Sequence, residues 1–357
     1  MKILHTADNH AGCRQYGMPE REDDFYSGFH QACIKTMNEH CDAMLVAGDL
    51  FDSSRPSARA VLEVKNGVDM LRKDGIAVLG IEGNHDLTQD CYWLRVCGIE
   101  PLDAGYEDSF NGFSATGVNY CHTDDLLERL DAIAAACEAD GKRYQVVALH
   151  CGIAEMGCSF NPDASQAQLV PLLKRIGCTY CAVGHIHIPM EQVVDGIMFV
   201  QPGSTECKSV DEPHEKSVEI VELEENTGKV LSAKVEKLMN RNIELFSIET
   251  DDDVEKLRNA SDKALVVAYV SSKVADGVAK AAAVLKGRDL LSRVIPVGEA
   301  GAETRSYDRG KSMDLLKDAV LAFFEEGSDQ YRLVMEILST GNPRLAVENY
   351  MNREDTK

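Results

Sequence analysis

Residues 1–10 read Met-Lys-Ile-Leu-His-Thr-Ala-Asp-Asn-His, a mostly apolar run over positions 2–7 that stops at Asp8 and His10. A run of this length and composition reads as a buried strand, and the residues that end it can ligate a metal. The arrangement recurs four times in the first two hundred residues. Run 43–47 meets Gly48-Asp49, run 77–81 meets Gly83-Asn84-His85-Asp86, run 145–149 meets His150, and run 180–183 meets Gly184-His185-Ile186-His187. Between the runs lie segments of helical period, such as Phe25, Phe29, Ala32, Cys33 and Thr36, or Val61, Val64, Val68 and Leu71. This alternation implies an open α/β sheet with helices on its faces, whose strands are apolar almost throughout because both sides are buried. A generic α/β domain would show the same runs, so the ends of the runs carry the distinction. Ligands of open α/β sheets bind beyond the carboxyl ends of the strands, and five strands delivering polar residues there describe one composite site.

Taken singly, the motifs are weak. Asp8 and His10, two apart, fall on one side of an extended segment and can share a cation, although such a pair more often ends an ordinary strand. Gly48 leaves room for the backbone beside Asp49 to crowd close to ions. Asn84 and His85 bring a carbonyl and an imidazole directly after a buried run. His150 alone reads more readily as a core histidine, whereas His185 and His187 again place two imidazoles on one side. Their joint order and spacing carries the reading.

The chain has 357 residues, 44% of them hydrophobic, enough for one large domain with a smaller one attached. Its formal net charge is -22, from 37 Lys and Arg against 59 Asp and Glu, which argues against coating nucleic acid through a basic surface. An enzyme that meets phosphates through metal ions escapes that objection, because bound cations dominate the local field. Twelve cysteines without an export signal suggest buried thiols in a reducing cytoplasm, and no stretch approaches the length of a membrane span.

After position 218 the pattern changes. Runs 218–223 and 230–238 flank a Glu-Glu-Asn-Thr-Gly turn and read as a hairpin. Residues 242–297 alternate strand and helix over 243–248, 253–259, 264–270, 278–285 and 293–297, a small second domain. Residues 298–310 form a polar linker, and 312–352 are helical, with Leu315, Leu316, Ala319, Val320, Phe323 and Phe324 on one apolar face and Leu333, Val334, Ile337 and Leu338 on the next. The division is thus 1–240, 241–298 and 299–357. Two decoys are set aside. Cys178 and Cys181 have metal-site spacing, but on a strand they face opposite ways and no second pair follows. Gly310-Lys311-Ser312 lacks the upstream glycine of a phosphate-binding loop, since Arg305 stands there.

The segments 4–10 (Leu-His-Thr-Ala-Asp-Asn-His), 47–57 (Ala-Gly-Asp-Leu-Phe-Asp-Ser-Ser-Arg-Pro-Ser) and 202–206 (Pro-Gly-Ser-Thr-Glu) resemble the calcineurin-like metallophosphoesterases, and within them the SbcD-type nucleases, bacterial counterparts of the meiotic-recombination-eleven nuclease. The resemblance covers residues 1–220. It implies an α/β metallophosphoesterase sandwich, a small α/β capping domain over 241–298 that selects DNA geometry, and a helical tail over 299–357 that docks on an SbcC-type coiled-coil ATPase or packs on its own chain. It implies one ion held by Asp8, His10, Asp49 and His187, and a second held by Asp49, Asn84, His150 and His185, with Asp49 as bridge. His85 then serves as general acid or transition-state donor. Asp52 stands where some archaeal and eukaryotic members carry a histidine tied to exonuclease action, so the cleavage mode stays open. Asp52, Arg55 and Arg59 are candidate substrate contacts, the two arginines reading equally as the solvated start of a helix. A homodimer is implied, through helices near 61–71 and 92–97.

The chemistry of the residues agrees with that carry-over. Two divalent ions roughly 3.5–4 Å apart bind phosphate oxygens, ionise a water and steady a leaving oxygen. Carboxylate, amide and imidazole donors without thiolate suit manganese rather than structural zinc. The expectation is a manganese-dependent DNA nuclease in double-strand break repair. A phosphodiesterase or phosphatase of small-molecule or protein phosphoesters shares the motifs and suits the acidic composition; a noncatalytic subunit has no need of seven ligands.

Overall fold

The five apolar runs are strands, but they belong to two sheets. The computed structural model describes residues 1–108, 113–158, 162–225 and 227–297. In chain order these form β1 (Lys2–Thr6), α1 (Pro19–Asn38), β2 (Ala43–Ala47), α2 (Ala58–Lys73), β3 (Ala77–Ile81), α3 (Tyr92–Cys97), β4 (Glu100–Pro101), β5 (Tyr106–Asp108), β6 (Phe113–Val118), α4 (Thr123–Asp140), β7 (Val146–His150), α5 (Gln166–Ile176), β8 (Tyr180–Gly184), β9 (Met190–Val194) and β10 (Ile197–Gln201). Then follow β11 (Ser217–Leu223), β12 (Val230–Lys237), β13 (Ile243–Ile248), α6 (Asp251–Lys256), β14 (Leu265–Ser271), α7 (Gly277–Leu285) and β15 (Leu291–Val297).

One sheet has the order β12-β11-β1-β2-β3-β4 and the other β5-β6-β7-β8-β10-β9. The strands that end in polar residues are parallel within each, with Leu4 beside Met44, Met44 beside Val78, and Leu149 beside Val183. Successive side chains on a strand face opposite sides, and this sorts the core. Ile3, Leu45, Leu79 and Ile81 meet Val146, Ala148, Tyr180 and Ala182 between the sheets. Leu4, Met44, Val46 and Val78 turn outward under Phe29, Ala32, Val64 and Val68 of α1 and α2. Val147, Leu149, Cys181 and Val183 do the same under Leu130 of α4 and Leu169 and Leu173 of α5. The result is a four-layer helix–sheet–sheet–helix sandwich, as the resemblance implied, in place of the single open sheet implied by the runs. A strand covered by a sheet on one face and helices on the other is as apolar as one covered by helices on both.

The hairpin expected over 218–238 is β11 and β12. The third sheet, β13-β14-β15, is parallel throughout. Its first helix starts two residues earlier than the apolar pattern suggested, because Thr250 and Asp253 close a capping box ahead of it. One face of this sheet packs on α6 and α7 through Val266, Ala268, Val254 and Ala281. Its other face presents Ile243, Leu265 and Val267 to Cys207, Val210, Tyr16 and Met18.

Cys178 and Cys181 enter the same core cluster rather than facing opposite ways, because Cys178 precedes β8. Both are free thiols, and burial pushes Cys178 up to about 12. Among the described residues no helix is long and apolar enough to cross a membrane. The expected helices of 312–352, the linker and Gly310-Lys311-Ser312 lie outside the described residues.

Candidate metal centre

All five run ends converge at one rim of the sandwich, by a local geometry unlike the expected one. Asp8 and His10 are not extended: their φ angles are 51° and 45°, and that of Asp49 is 49°. The Asp8 amide donates to the Gly48 carbonyl at 3.1 Å and the His10 amide to the Asp49 carbonyl at 3.0 Å, so the two loops are laced together by backbone bonds. His185 has φ 97°, which splits it from His187 instead of leaving both imidazoles on one side. Left-handed backbone at non-glycine residues costs on the order of 1–3 kcal/mol each and persists only where surroundings impose it. Gly48, at φ 89°, makes room for the His150 ring, with which a Cβ would collide, rather than for an ion. Gly83 leaves the same kind of space for the Asp49 carboxylate.

The side chains form two adjoining donor groups. In the first, His10 Nε2 lies 3.1 Å from His187 Nε2 and 3.7 Å from Asp49 Oδ2, and His187 Nε2 lies 3.7 Å from Asp8 Oδ1. In the second, His150 Nε2 lies 3.5 Å from the same Asp49 Oδ2 and 3.3 Å from Asn84 Oδ1, and His185 Nδ1 lies 3.0 Å from Asn84 Oδ1. The His85 amide donates to the other Asp49 oxygen at 2.9 Å. Asp8, His10, Asp49 and His150 are buried almost completely. Asp49 is therefore shared by both groups, and each brings carboxylate, imidazole or amide donors within a few ångströms.

Residues 1–189 match the family profile described as Calcineurin-like phosphoesterase, more than half of the chain. The chain belongs to this family. Among its relatives, the DNA double-strand break repair protein Mre11 of Archaeoglobus fulgidus is 29% identical over 230 residues, covering 58% of this chain and 50% of the relative. The Mre11 of Thermoplasma acidophilum is 30% identical over 226 residues, covering 58% and 57%. The aligned part thus spans about half the length of these curated relatives. Among solved structures, TT1561 of Thermus thermophilus aligns with TM-score 0.45 and 13% identity over 66% of this chain and 98% of that one.

Calcineurin-like phosphoesterases use a dinuclear metal site, and the donor set of this member fits one. The fit is decided by where the imidazole lone pairs point. His150 Nδ1 donates to the Ala47 carbonyl at 2.8 Å and His187 Nδ1 to Glu212 Oε1 at 2.8 Å, which turns both Nε2 atoms toward the site. His10 Nδ1 lies 3.3 Å from Asp52 Oδ1, which does the same for its Nε2. The Nε2 atoms of His10 and His187 lie 3.1 Å apart, a separation bridged by a proton or by a cation that both nitrogens face. Electrostatics point the same way. Burial works to raise the Asp49 carboxyl, but His150 and His10 outweigh it and hold it well below the usual range. Burial opposes charge on His150, yet Asp49 lifts it to about 9, so the proton that balances Asp49 on His150 is one that a bound cation would replace. Burial pushes His10 down to about 3 and His185 to about 4, favouring the neutral ligand form.

Several residues of this phosphoesterase centre were not foreseen. Glu212 orients His187, and it accepts from Lys216 Nζ at 2.6 Å, a lysine buried beneath the loop that also donates to Ser204 Oγ at 2.8 Å. Asp86 accepts from the amides of Gly83 and Phe51 at 2.8 and 3.1 Å and pins the turn that carries Asn84 and His85; burial, then Asp49, pushes it up to about 7. Lys208 Nζ sits between Asp52, His10 and His85. Glu212 and Lys208 follow the 202–206 motif in an irregular loop, where neither period nor a preceding strand marks them. Of the expected substrate contacts, Asp52 faces the centre, Arg55 is exposed, and Arg59 is engaged by Asp23 and stacks on Tyr26 at 5.1 Å.

Proposed function

We propose that this chain is a metal-dependent DNA nuclease, hydrolysing phosphodiester bonds in double-strand break repair. The carrying observation is the pair of donor groups that share Asp49 Oδ2, His10 and His187 on one side and His150 and Asn84 on the other. Asp8, His10, Asp49 and His187 would hold one divalent ion, and Asp49, Asn84, His150 and His185 the other. When bound, such ions neutralise phosphate oxygens and supply a water ionised near neutral pH. The chain's own residues orient the reaction. His85 Nδ1 donates to the Asp52 carbonyl at 3.1 Å, so its Nε2 is the atom offered to the site; in the imidazolium form, with a second proton on Nε2, it can protonate a departing sugar oxygen.

The Mre11 name of several relatives supports DNA as the substrate. On that reading the 241–298 sheet caps the site and selects DNA geometry, manganese is the native metal, and the chain works in the cytoplasm as an SbcD-type partner of an SbcC-type ATPase. A homodimer through α2 and α3 is part of the proposal: Leu62, Tyr92 and Val96 lie exposed on those helices. The competing substrate class is a small-molecule or protein phosphoester, favoured by the net charge of -22. Incubation of the chain with Mn2+, labelled duplex DNA and an aryl phosphodiester separates the two. Cleavage of both is expected, with His85→Ala slower by about 10²–10⁴-fold. Cleavage of the aryl ester with DNA left intact, even beside an ATPase partner, overturns the nuclease reading.

A further inference from the structure

Within the described residues, His10, Asp52 and His85 form a third cluster whose ligand atoms lie within 4.8 Å of one another. A side chain already fills it. Lys208 Nζ lies 2.9 Å from Asp52 Oδ1, 3.1 Å from His85 Nε2 and 3.2 Å from His10 Nδ1. The hydrogen-bond roles follow from the partners. In the substrate-free arrangement His85 Nδ1 gives its proton to the Asp52 carbonyl and Nε2 accepts from the ammonium; the imidazolium that acts as acid carries a proton on Nε2 and releases that N–H of Lys208. His10 Nδ1 lies 3.3 Å from Asp52 Oδ1 and 3.2 Å from the ammonium, so it donates to the carboxylate or accepts from Lys208 according to its tautomer. The ammonium thus forms an ion pair with Asp52 and a hydrogen bond with His85, and it donates to His10 only in the tautomer that leaves His10 Nδ1 bare. The side chain keeps 25% of its surface exposed, so the ammonium has access to the opening of the site.

We propose that Lys208 is a substrate-binding residue whose ammonium takes a non-bridging oxygen of the scissile phosphate; this rests on the phosphoesterase reading above. The geometry is restrictive. A leaving oxygen within hydrogen-bond reach of His85 Nε2 brings the oxygens of its own phosphate to the place where the ammonium already is. The two cationic side chains expected to meet phosphate do not compete for this role, since Arg59 is engaged by Asp23 and Arg55 lies out on the surface. A compact ammonium suits a single oxygen, and Asp52 holds it on station by charge. The neighbours of Lys208 fix its backbone: Cys207 and Val210 are buried against Ile243, Leu265 and Val267 of the third sheet. The phosphate contact is therefore delivered from the β13-β14-β15 side of the site.

The test uses the full chain loaded with Mn2+, with inorganic phosphate as the binding probe and an aryl phosphodiester as substrate. A charged hydrogen bond to phosphate is worth about 1.5–3 kcal/mol, so Lys208→Met is expected to weaken phosphate binding by about 10–100-fold and to raise KM comparably. Mn2+ affinity by calorimetry stays within about twofold of the wild type, and Lys208→Arg, which keeps the charge but not the compact shape, restores only part of the phosphate affinity. A Met variant that binds phosphate as the wild type does, or one whose phosphate and Mn2+ affinities fall together, overturns the assignment; the second result makes Lys208 a support of His10. A wild type that binds phosphate through Lys208 yet leaves DNA uncut sinks the nuclease reading and keeps this one.

Discussion

At the scale of single residues, the centre is built by orientation as much as by ligand type. Three imidazoles of the centre have their outward nitrogen fixed: His150 by the Ala47 carbonyl, His187 by Glu212, His10 by Asp52. Glu212 is the member whose removal is most informative, because it keeps its shape as glutamine while losing its charge. Glu212→Gln is expected to lower Mn2+ affinity by about 10–100-fold, the usual cost of losing a carboxylate behind a metal-facing histidine. Calorimetry reads that loss, and thermal unfolding is followed in parallel because Lys216, buried beneath it, then loses its counter-charge. Unchanged affinity would show that His187 needs no partner. The candidate ligands were legible in the sequence because each ends an apolar run. Glu212 and Lys208 were not, since they act from a loop through hydrogen bonds that no period records; Asp86 stands at the end of run 77–81, but nothing in the run shows that it pins the turn rather than faces an ion.

At the scale of elements, the strands could be read but their division could not. Residues 43–47 and 180–183 have the same apolar character, yet β2 and β8 sit in different sheets, and nothing in either run states which face meets helices and which meets the other sheet. One inward position does betray the interlayer. Glu219 on β11 is paired in register with His5 on β1, and both are buried between the sheets, where Tyr180 meets His5 Nδ1 at 2.9 Å. Burial, then Glu191, pushes the Glu219 carboxyl up to about 7. A raised carboxyl favours the fold only when protonated: its contribution is fully present below the unfolded value near 4.5 and is lost as pH rises through about 7. Glu219→Gln removes that loss. Discounting for partial solvent access, the variant is expected to gain about 1–2 kcal/mol over the wild type near pH 8 and almost nothing near pH 4.5, measured by urea unfolding in chelator. An equal difference at both pH values would mean that the carboxyl is ionised in the fold at no cost.

At the scale of the whole molecule, the charge is the quantity to reconcile with nucleic acid. A chain of net charge -22 repels a polyanion at long range, while Lys208 and any bound divalent ions attract one phosphate at short range. These effects respond oppositely to salt, because screening removes the distant repulsion first: the Debye length falls to about 8 Å at about 0.15 M ionic strength. A basic nuclease loses association rate as salt is raised. For this chain the expected sign is reversed: between about 20 mM and about 150 mM monovalent salt, the rate of association with labelled duplex DNA rises several-fold. Rapid-mixing fluorescence on the Mn2+-loaded chain measures it. A rate that falls across that range would mean that a local basic surface outweighs the average charge, and the approach to the site would then have to be sought along it. If the rise is found, adding an ATPase partner with a basic groove should restore the ordinary fall, which ties the acidity of this chain to a division of labour in which the partner gathers DNA and this chain cuts it.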